Sequence, residues 1–349
     1  MNDSKHDLPF VSIIMPIRNE STFIEDCLNA ILSQNYPEKK FEVIVVDGLS
    51  DDGTTDILRR FKEKYNKIKI FKNDKKIVST ALNIGISKSI GDIIVRIDGH
   101  TIIKKDFISK NIELLNKHEE AWIVGGPIIH KGKNSFSKAL ALTMSSSFGV
   151  GNANHRKSDY EGYAEGAVFP AIRKFVFSKV GLFDEHFVRN QDDEFNYRVI
   201  LNGGKIFISP SVSHSYFVRD SASKLFKQYF QYGFWKIEII KKHRSTISIR
   251  HLIPLFFVIY LKGLVFLLFV TINLGAIILS LVPLLTYLVL VVFHILVTLK
   301  NTKAFSIGLL SGYCAIIMHI AYGVGTFAGI FPKIFLNSKL NKLVTELSR

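Results

Sequence analysis

Between residues 10 and 97 the chain alternates short apolar runs with stretches whose apolar residues recur every three or four positions. Residues 10–15 read as a strand that ends at Pro16. Residues 22–34 read as a helix with Phe23, Cys27, Leu28, Ile31 and Leu32 at helical spacing. Residues 41–46 form an apolar run of the kind seen in buried parallel strands. A loop, Asp47-Gly-Leu-Ser-Asp-Asp-Gly, leads into a helix over 54–65, a strand over 68–71, a helix over 79–89 and a strand over 93–97 that runs into Asp98. Strand and helix in strict alternation predict a parallel sheet with right-handed crossovers. Ligands of such sheets bind beyond the carboxyl ends of the strands. The polar residues cluster there: Arg18, Asn19 and Glu20 after the first strand, Asp47 after the second, Asp98 and His100 after the fourth. The stretch from 120 to 245 is less regular and richer in glycine and aromatic residues.

The pattern then changes. From Leu252 to Leu299 the only formally charged residue is Lys262, and from Ala304 to Phe331 there is no Asp, Glu, Lys or Arg. Each run exceeds the roughly 20 residues that span a bilayer as helix, and neither shows the polar face of a soluble bundle. Membrane segments are expected at about 252–272, 275–299 and 304–331, with a polar break at Thr271-Ile272-Asn273. The expected organisation is a catalytic domain over 1–245 and a membrane domain over 246–349.

The net charge of +15 is consistent with lipid or nucleic acid as partner, and its distribution favours lipid. Lys236, Lys241, Lys242, Arg244 and Arg250 lie just before the first long apolar run. Such residues gain about 1 kcal/mol each near an anionic surface and mark the cytoplasmic side. Residues 1–10 lack the apolar core and cleavage site of a secretory leader, so the soluble part is expected in the cytoplasm. Cys27 and Cys314 offer no disulfide scaffold.

Four fragments carry a resemblance. They are Val11-Ser-Ile-Ile-Met-Pro-Ile-Arg-Asn-Glu20, Val45-Val-Asp-Gly-Leu-Ser-Asp-Asp-Gly-Thr54, Asn83-Ile-Gly-Ile and Gly91-Asp-Ile-Ile-Val-Arg-Ile-Asp-Gly-His100. In this order and spacing, residues 10–240 resemble the family 2 glycosyltransferases, and within them the succinoglycan-type exopolysaccharide enzymes. The resemblance implies an α/β fold of GT-A type followed by transmembrane helices. It also implies a nucleotide-sugar donor, expected to be a UDP-sugar, and a lipid-linked acceptor in surface polysaccharide synthesis.

The implied roles follow residue by residue. Asp47 would accept from the ring N–H of the donor base, with Pro16, Arg18 and Glu20 lining the same crevice; Asp47 could equally cap the turn that follows it. Asp98-Gly99-His100 stands where the family carries Asp-x-Asp, so Asp98 and His100 would hold a divalent cation, Mn²⁺ or Mg²⁺, beside the diphosphate. Imidazole in place of the second carboxylate suits Mn²⁺ better. In Asn190-Gln-Asp-Asp-Glu-Phe-Asn-Tyr-Arg198, the resemblance sets Asp192 on the general base, with Asp193 as its rival, Glu194 on the second acid and Arg198 on the family arginine. One base and no separate nucleophile imply an inverting displacement. In Tyr232-Gly-Phe-Trp-Lys236, Trp235 could stack on a sugar and Lys236 meet the pyrophosphate, or both could anchor at a membrane interface. His319 lies in an apolar run, where an ionisable residue suggests a site, although Gly323 and Gly325 point to close helix packing.

Two other classes explain less. A nucleotidyltransferase would account for the sheet but not for the acid-rich motif or the membrane runs, and no phosphate-loop motif is present. A transporter would want charge inside its membrane segments. Three spans place Lys300 and Lys303 inside but Lys333, Lys339, Lys342 and Arg349 outside, against the charge rule. One segment is therefore expected to be interfacial or re-entrant, and residues 252–260 are the candidate to lie in the headgroup plane, with the break then nearer Pro283.

Overall fold

The computed structural model describes residues 8–151, 159–244, 249–270, 272–332 and 344. The chain begins β1 (Val11–Ile17), α1 (Ile24–Leu32), β2 (Phe41–Asp47), α2 (Thr54–Lys64), β3 (Ile68–Lys72), α3 (Val78–Lys88), β4 (Ile93–Arg96) and α4 (Phe107–Lys117). It continues β5 (Ala121–Gly126), β6 (Ile128–Lys131), α5 (Ser135–Met144), α6 (Ser147–Val150), β7 (Gly162–Tyr163), β8 (Val168–Arg173), α7 (Phe175–Val180), α8 (Gln191–Leu201), β9 (Lys205–Ile208) and β10 (His214–Phe217). Four helices follow: α9 (Ala222–Lys242), α10 (Ile249–Val270), α11 (Leu274–Thr302) and α12 (Phe305–Ile330). Two compact units result, Met1–Ile129 with Asn154–Tyr216, and His130–Ala153 with Phe217–Arg349. Residues 130–153 and α9 thus group with the apolar helices, a different division from one at residue 245.

The first unit is built on an eight-stranded sheet ordered β3-β2-β1-β4-β8-β5-β9-β7. Its first four strands pair in parallel, as the alternating pattern predicts. β1 is buried along its whole length because helices cover both faces. Val11, Ile13, Met15 and Ile17 join one core with α1 and α4, whereas Ile14 joins the other with α3. A Cβ on Gly85 of α3 would lie 2.4 Å from Ile14, so only glycine lets that helix seat on the strand. The order β2-β1-β4 makes the gap between β1 and β4 a switch point, where the chain turns to opposite sides and a crevice opens.

The first strand does not stop at Pro16 as expected. Its pairing with β4 ends at Ile14↔Arg96, while pairing with β2 continues to Ile17↔Asp47. Pro16 therefore has one strand neighbour, an edge-like place that tolerates a missing N–H. The stretch that reads as irregular supplies β5, β7, β8 and β9 to the same sheet. β8 runs antiparallel between β4 and β5, a long-range pairing that local periodicity does not reveal.

In the second unit α10, α11 and α12 are each long and apolar enough to cross a membrane. Residues 272–273 separate α10 from α11, as the polar break predicts; Thr271 lies outside the described residues. Pro283 lies inside α11, so the chain does not turn there. Close backbone packing explains the glycines. A Cβ on Gly325 would fall 2.0 Å from Phe230 O, and one on Gly233 2.1 Å from Tyr322 O, so α9 and α12 touch main chain to main chain. His319 is satisfied within this packing. Its Nε2 lies 2.9 Å from Phe148 O, which can only accept, so Nε2 carries the hydrogen and Nδ1 accepts from the Tyr287 hydroxyl at 3.0 Å.

Candidate active site

The first wall of the crevice is two loops locked together. After β1, Asn19 takes a left-handed conformation (φ 55°) that turns its amide toward the loop after β2. Its N–H donates to Ser50 Oγ at 2.8 Å, its Nδ2 donates to Asp51 at 2.9 Å, and its Oδ1 accepts from Asp51 N–H at 3.0 Å. Glu20 N–H donates to Thr54 Oγ1, and Ser21 N–H to Asp52. Partial burial pushes the Asp52 carboxyl up, but the bonds from Thr54 and Ser21 outweigh it and bring its pKa to about 2. Asp52 is a brace and stays ionised.

Asp47, the last residue of β2, is 6% exposed. Its carboxylate accepts from Ser50 N–H at 3.2 Å and Ser50 Oγ–H at 2.5 Å. The turn-capping role open to it in the sequence is therefore real, and it fixes the carboxylate at the strand end. Arg18 is exposed on the loop beside it, and Pro16 is buried in β1.

The second wall follows β4. Asp98 is gripped by Arg96, with Nε to Oδ1 at 2.9 Å and Nη2 to Oδ2 at 3.2 Å. His100 Nδ1 lies 2.9 Å from Glu20 Oε1. A carboxylate only accepts, so Nδ1 bears the hydrogen and Nε2 is the nitrogen left for a ligand. A Cβ on Gly99 would lie 2.9 Å from Ile17 and 3.1 Å from Glu20, which is why the residue between Asp98 and His100 has no side chain. Tyr216 meets the His100 ring edge-on at 6.4 Å. Cys27, behind this wall, is no nucleophile, because burial pushes its thiol up to about 12.

The third element is the start of α8. Asn190 is left-handed (φ 58°) and precedes the first turn, which carries Asp192, Asp193 and Glu194. Asp192 and Asp193 are exposed, and Asp193 N–H donates to Asp192 Oδ1. Desolvation raises the pKa of the Asp192 carboxyl, the charge of Asp193 raises it further, and that of Arg96 opposes both. Arg96, which sequence reasoning missed, thus acts on both acidic clusters. Burial works against its charge, yet Asp98 and Asp192 keep its pKa raised.

Glu194 and Arg198 pair with each other along α8. Glu194 is 0% exposed and takes Arg198 Nε at 3.0 Å and Nη2 at 2.9 Å. Arg198 also donates to the carbonyls of Val180 and Leu182, so the pair staples α8 to the end of α7. Their spacing of four on a helix was the available signal. Arg198→Met leaves the Glu194 carboxylate buried without its partner and is expected to destabilise the fold by about 3–5 kcal/mol. Chemical denaturation would measure this, with Arg198→Lys falling between. Trp235 and Lys236 belong to the other unit. Trp235 is 5% exposed, and its indole N–H donates to Val344 O at 3.3 Å.

Among the described residues, no group of three or more His, Cys, Asp or Glu side chains is placed to hold a metal ion. Asp98 and His100 supply two donors on one loop, so a cation there would need further ligands from the donor's phosphate oxygens.

The family model described as glycosyl transferase family 2 matches residues 12–181. A Methanococcus voltae protein, dolichyl N-acetyl-alpha-D-glucosaminyl phosphate 3-beta-D-2,3-diacetamido-2,3-dideoxy-beta-D-glucuronosyltransferase, is 32% identical over 263 residues, covering 73% of this chain and 81% of its own. Succinoglycan biosynthesis protein ExoA of Rhizobium meliloti (strain 1021) is 30% identical over 246 residues, with 70% and 74% covered. Mannosyltransferase PcManGT from Pyrobaculum calidifontis, solved in complex with GDP-Man and Mn2+, shares the fold with a TM-score of 0.63 at 17% identity, over 94% of this chain and 89% of that one. The chain carries a GT-A fold and belongs to glycosyl transferase family 2, and it is a glycosyltransferase.

Proposed function

We propose that the enzyme moves a sugar from a uridine diphosphate donor to a lipid-linked acceptor at the membrane, in the synthesis of a surface polysaccharide, with its catalytic unit in the cytoplasm. The observation that carries this reading is the convergence of Asp47, the Glu20–His100 pair and the Arg96–Asp98 pair at the carboxyl ends of β2, β1 and β4. The basic residues before α10 support a cytoplasmic face. The relatives from Methanococcus voltae and Rhizobium meliloti, whose names refer to a dolichyl phosphate substrate and to succinoglycan, support a lipid-linked acceptor and a polysaccharide product.

In this reading Asp47 accepts from the base, with Pro16, Arg18 and Glu20 around it. Asp192 takes the proton of the acceptor hydroxyl as it attacks the anomeric carbon. The nucleoside diphosphate leaves on the opposite face, and the configuration inverts. Asp193 keeps Asp192 from being too weak a base, and Glu194 and Arg198 hold the helix that carries both.

Detergent-solubilised protein should release nucleoside diphosphate from a UDP-sugar. A binding or transport protein would release none. Asp98 and His100 would hold Mn²⁺ or Mg²⁺, which neutralises the leaving diphosphate when bound. Chelation is expected to lower this release by about tenfold or more, and Mn²⁺ should restore it better than Mg²⁺ because one donor is imidazole. Full release after exhaustive chelation would remove the metal from this reading and leave basic residues to neutralise the diphosphate.

A further inference from the structure

The three apolar helices are unequally prepared for lipid. In its most apolar stretch α11 is 6% buried and α10 17%, whereas α12 is 44% buried. Phe269, Ile272 and Leu279 around the α10–α11 turn are 86%, 101% and 73% exposed. α12 instead gives its surface to protein: Gly308 and Gly312 meet α11, Gly323 meets Pro254 of α10, and Gly325 meets Phe230 of α9.

What lies against the end of α12 fixes its side. Lys241, which precedes α10 in the chain, donates Nζ to Gly329 O at 2.8 Å and pairs with Glu238 at 2.8 Å. A cation on the last turn completes the unsatisfied carbonyls there. Trp235, also before α10, donates to Val344 O, beyond α12. A helix that carries Lys224, Lys227, Lys236, Lys241 and Lys242 belongs in water or among head groups, not in hydrocarbon. Residues on both sides of the membrane segments therefore meet on one face.

We infer that α10 and α11 form the membrane-inserted hairpin, and that α12 does not cross but stays with α9 on the face where the chain entered. The inference rests on the membrane reading above and deepens it. It moves the interfacial role from residues 252–260 to α12. It also removes the charge conflict: Lys300, Lys303, Lys333, Lys339, Lys342 and Arg349 all share the side of the residues before α10, and the turn at Thr271-Ile272-Asn273, which bears no charge, is alone at the far end. Exposed Phe305, Leu309 and Tyr313 at the start of α12 then rest against the bilayer surface.

The test is side-specific labelling of the full chain in sealed membrane vesicles of both orientations. Ser4→Cys and Ser348→Cys are made singly and treated with a membrane-impermeant maleimide. Cys27 and Cys314 are both 0% exposed, and the unsubstituted protein serves as the blank. The expected result is that both sites react in the same vesicle orientation and are shielded in the other, whereas a third single variant at the exposed α10–α11 turn, Ile272→Cys, reacts only in the opposite orientation. Reaction of Ile272→Cys from the same side as the other two would put α10 rather than α12 at the surface and overturn the inference. Reaction from opposite sides would mean an odd number of crossings and would overturn the inference while leaving membrane insertion intact. Release of the protein by alkaline carbonate would overturn the membrane reading itself.

Discussion

Asp192→Asn is expected to lower turnover about 10²-fold or more while leaving donor binding nearly unchanged. The amide keeps the shape and the bond from Asp193 N–H but cannot take a proton from the acceptor. The pH profile adds a second signature. Desolvation first, and then the charge of Asp193, raise the Asp192 pKa. A general base works only when deprotonated, so the wild-type rate should fall as pH drops through a value above the ordinary carboxylate range of about 4. In the variant that acidic limb should vanish along with most of the rate. If Asp192→Asn keeps its turnover and Asp193→Asn loses it, the base is Asp193. A product with retained configuration would rule out single displacement in either case.

Asp47→Asn should weaken nucleoside diphosphate binding by roughly 10- to 100-fold, the worth of a charged hydrogen bond at about 1.5–3 kcal/mol. Asparagine is the informative replacement because its Oδ1 can still accept from Ser50, so the turn after β2 survives. Alanine would lose the turn and the base contact together, at a position only 6% exposed. Titration of the folded protein with UDP reads the effect directly. Unchanged affinity would reduce Asp47 to its capping role.

The nucleotide half of the site was legible in the sequence because its residues are contiguous with the strands that carry them. Each apolar run ends in a short polar cluster, and parallel strands deliver those clusters to one edge. Three things were not legible, each because it depends on contacts distant in sequence. Arg96 reads as the end of a buried strand, and its link to Asp192 exists only once α8 has folded back over the sheet. β8 pairs antiparallel into a sheet whose first four strands announce only parallel pairing. Within Tyr232-Gly-Phe-Trp-Lys236 two residues serve packing in this fold, since Gly233 admits α12 and Trp235 reaches Val344. Glu194 and Arg198 lay in between. Their spacing suited an ion pair, and the pair is what the fold contains.

The central claim is that sugar leaves a nucleotide and arrives on lipid. Purified full-length enzyme in detergent should be incubated with each of a set of UDP-sugars, together with a polyprenyl-phosphate-linked sugar or a water-soluble oligosaccharide. The mass of the product is then read in the organic and aqueous phases. The account predicts that with one donor the lipid gains a single sugar residue, while the soluble acceptor stays unchanged. Transfer to the soluble oligosaccharide alone, with the lipid unmodified by any donor, would contradict it.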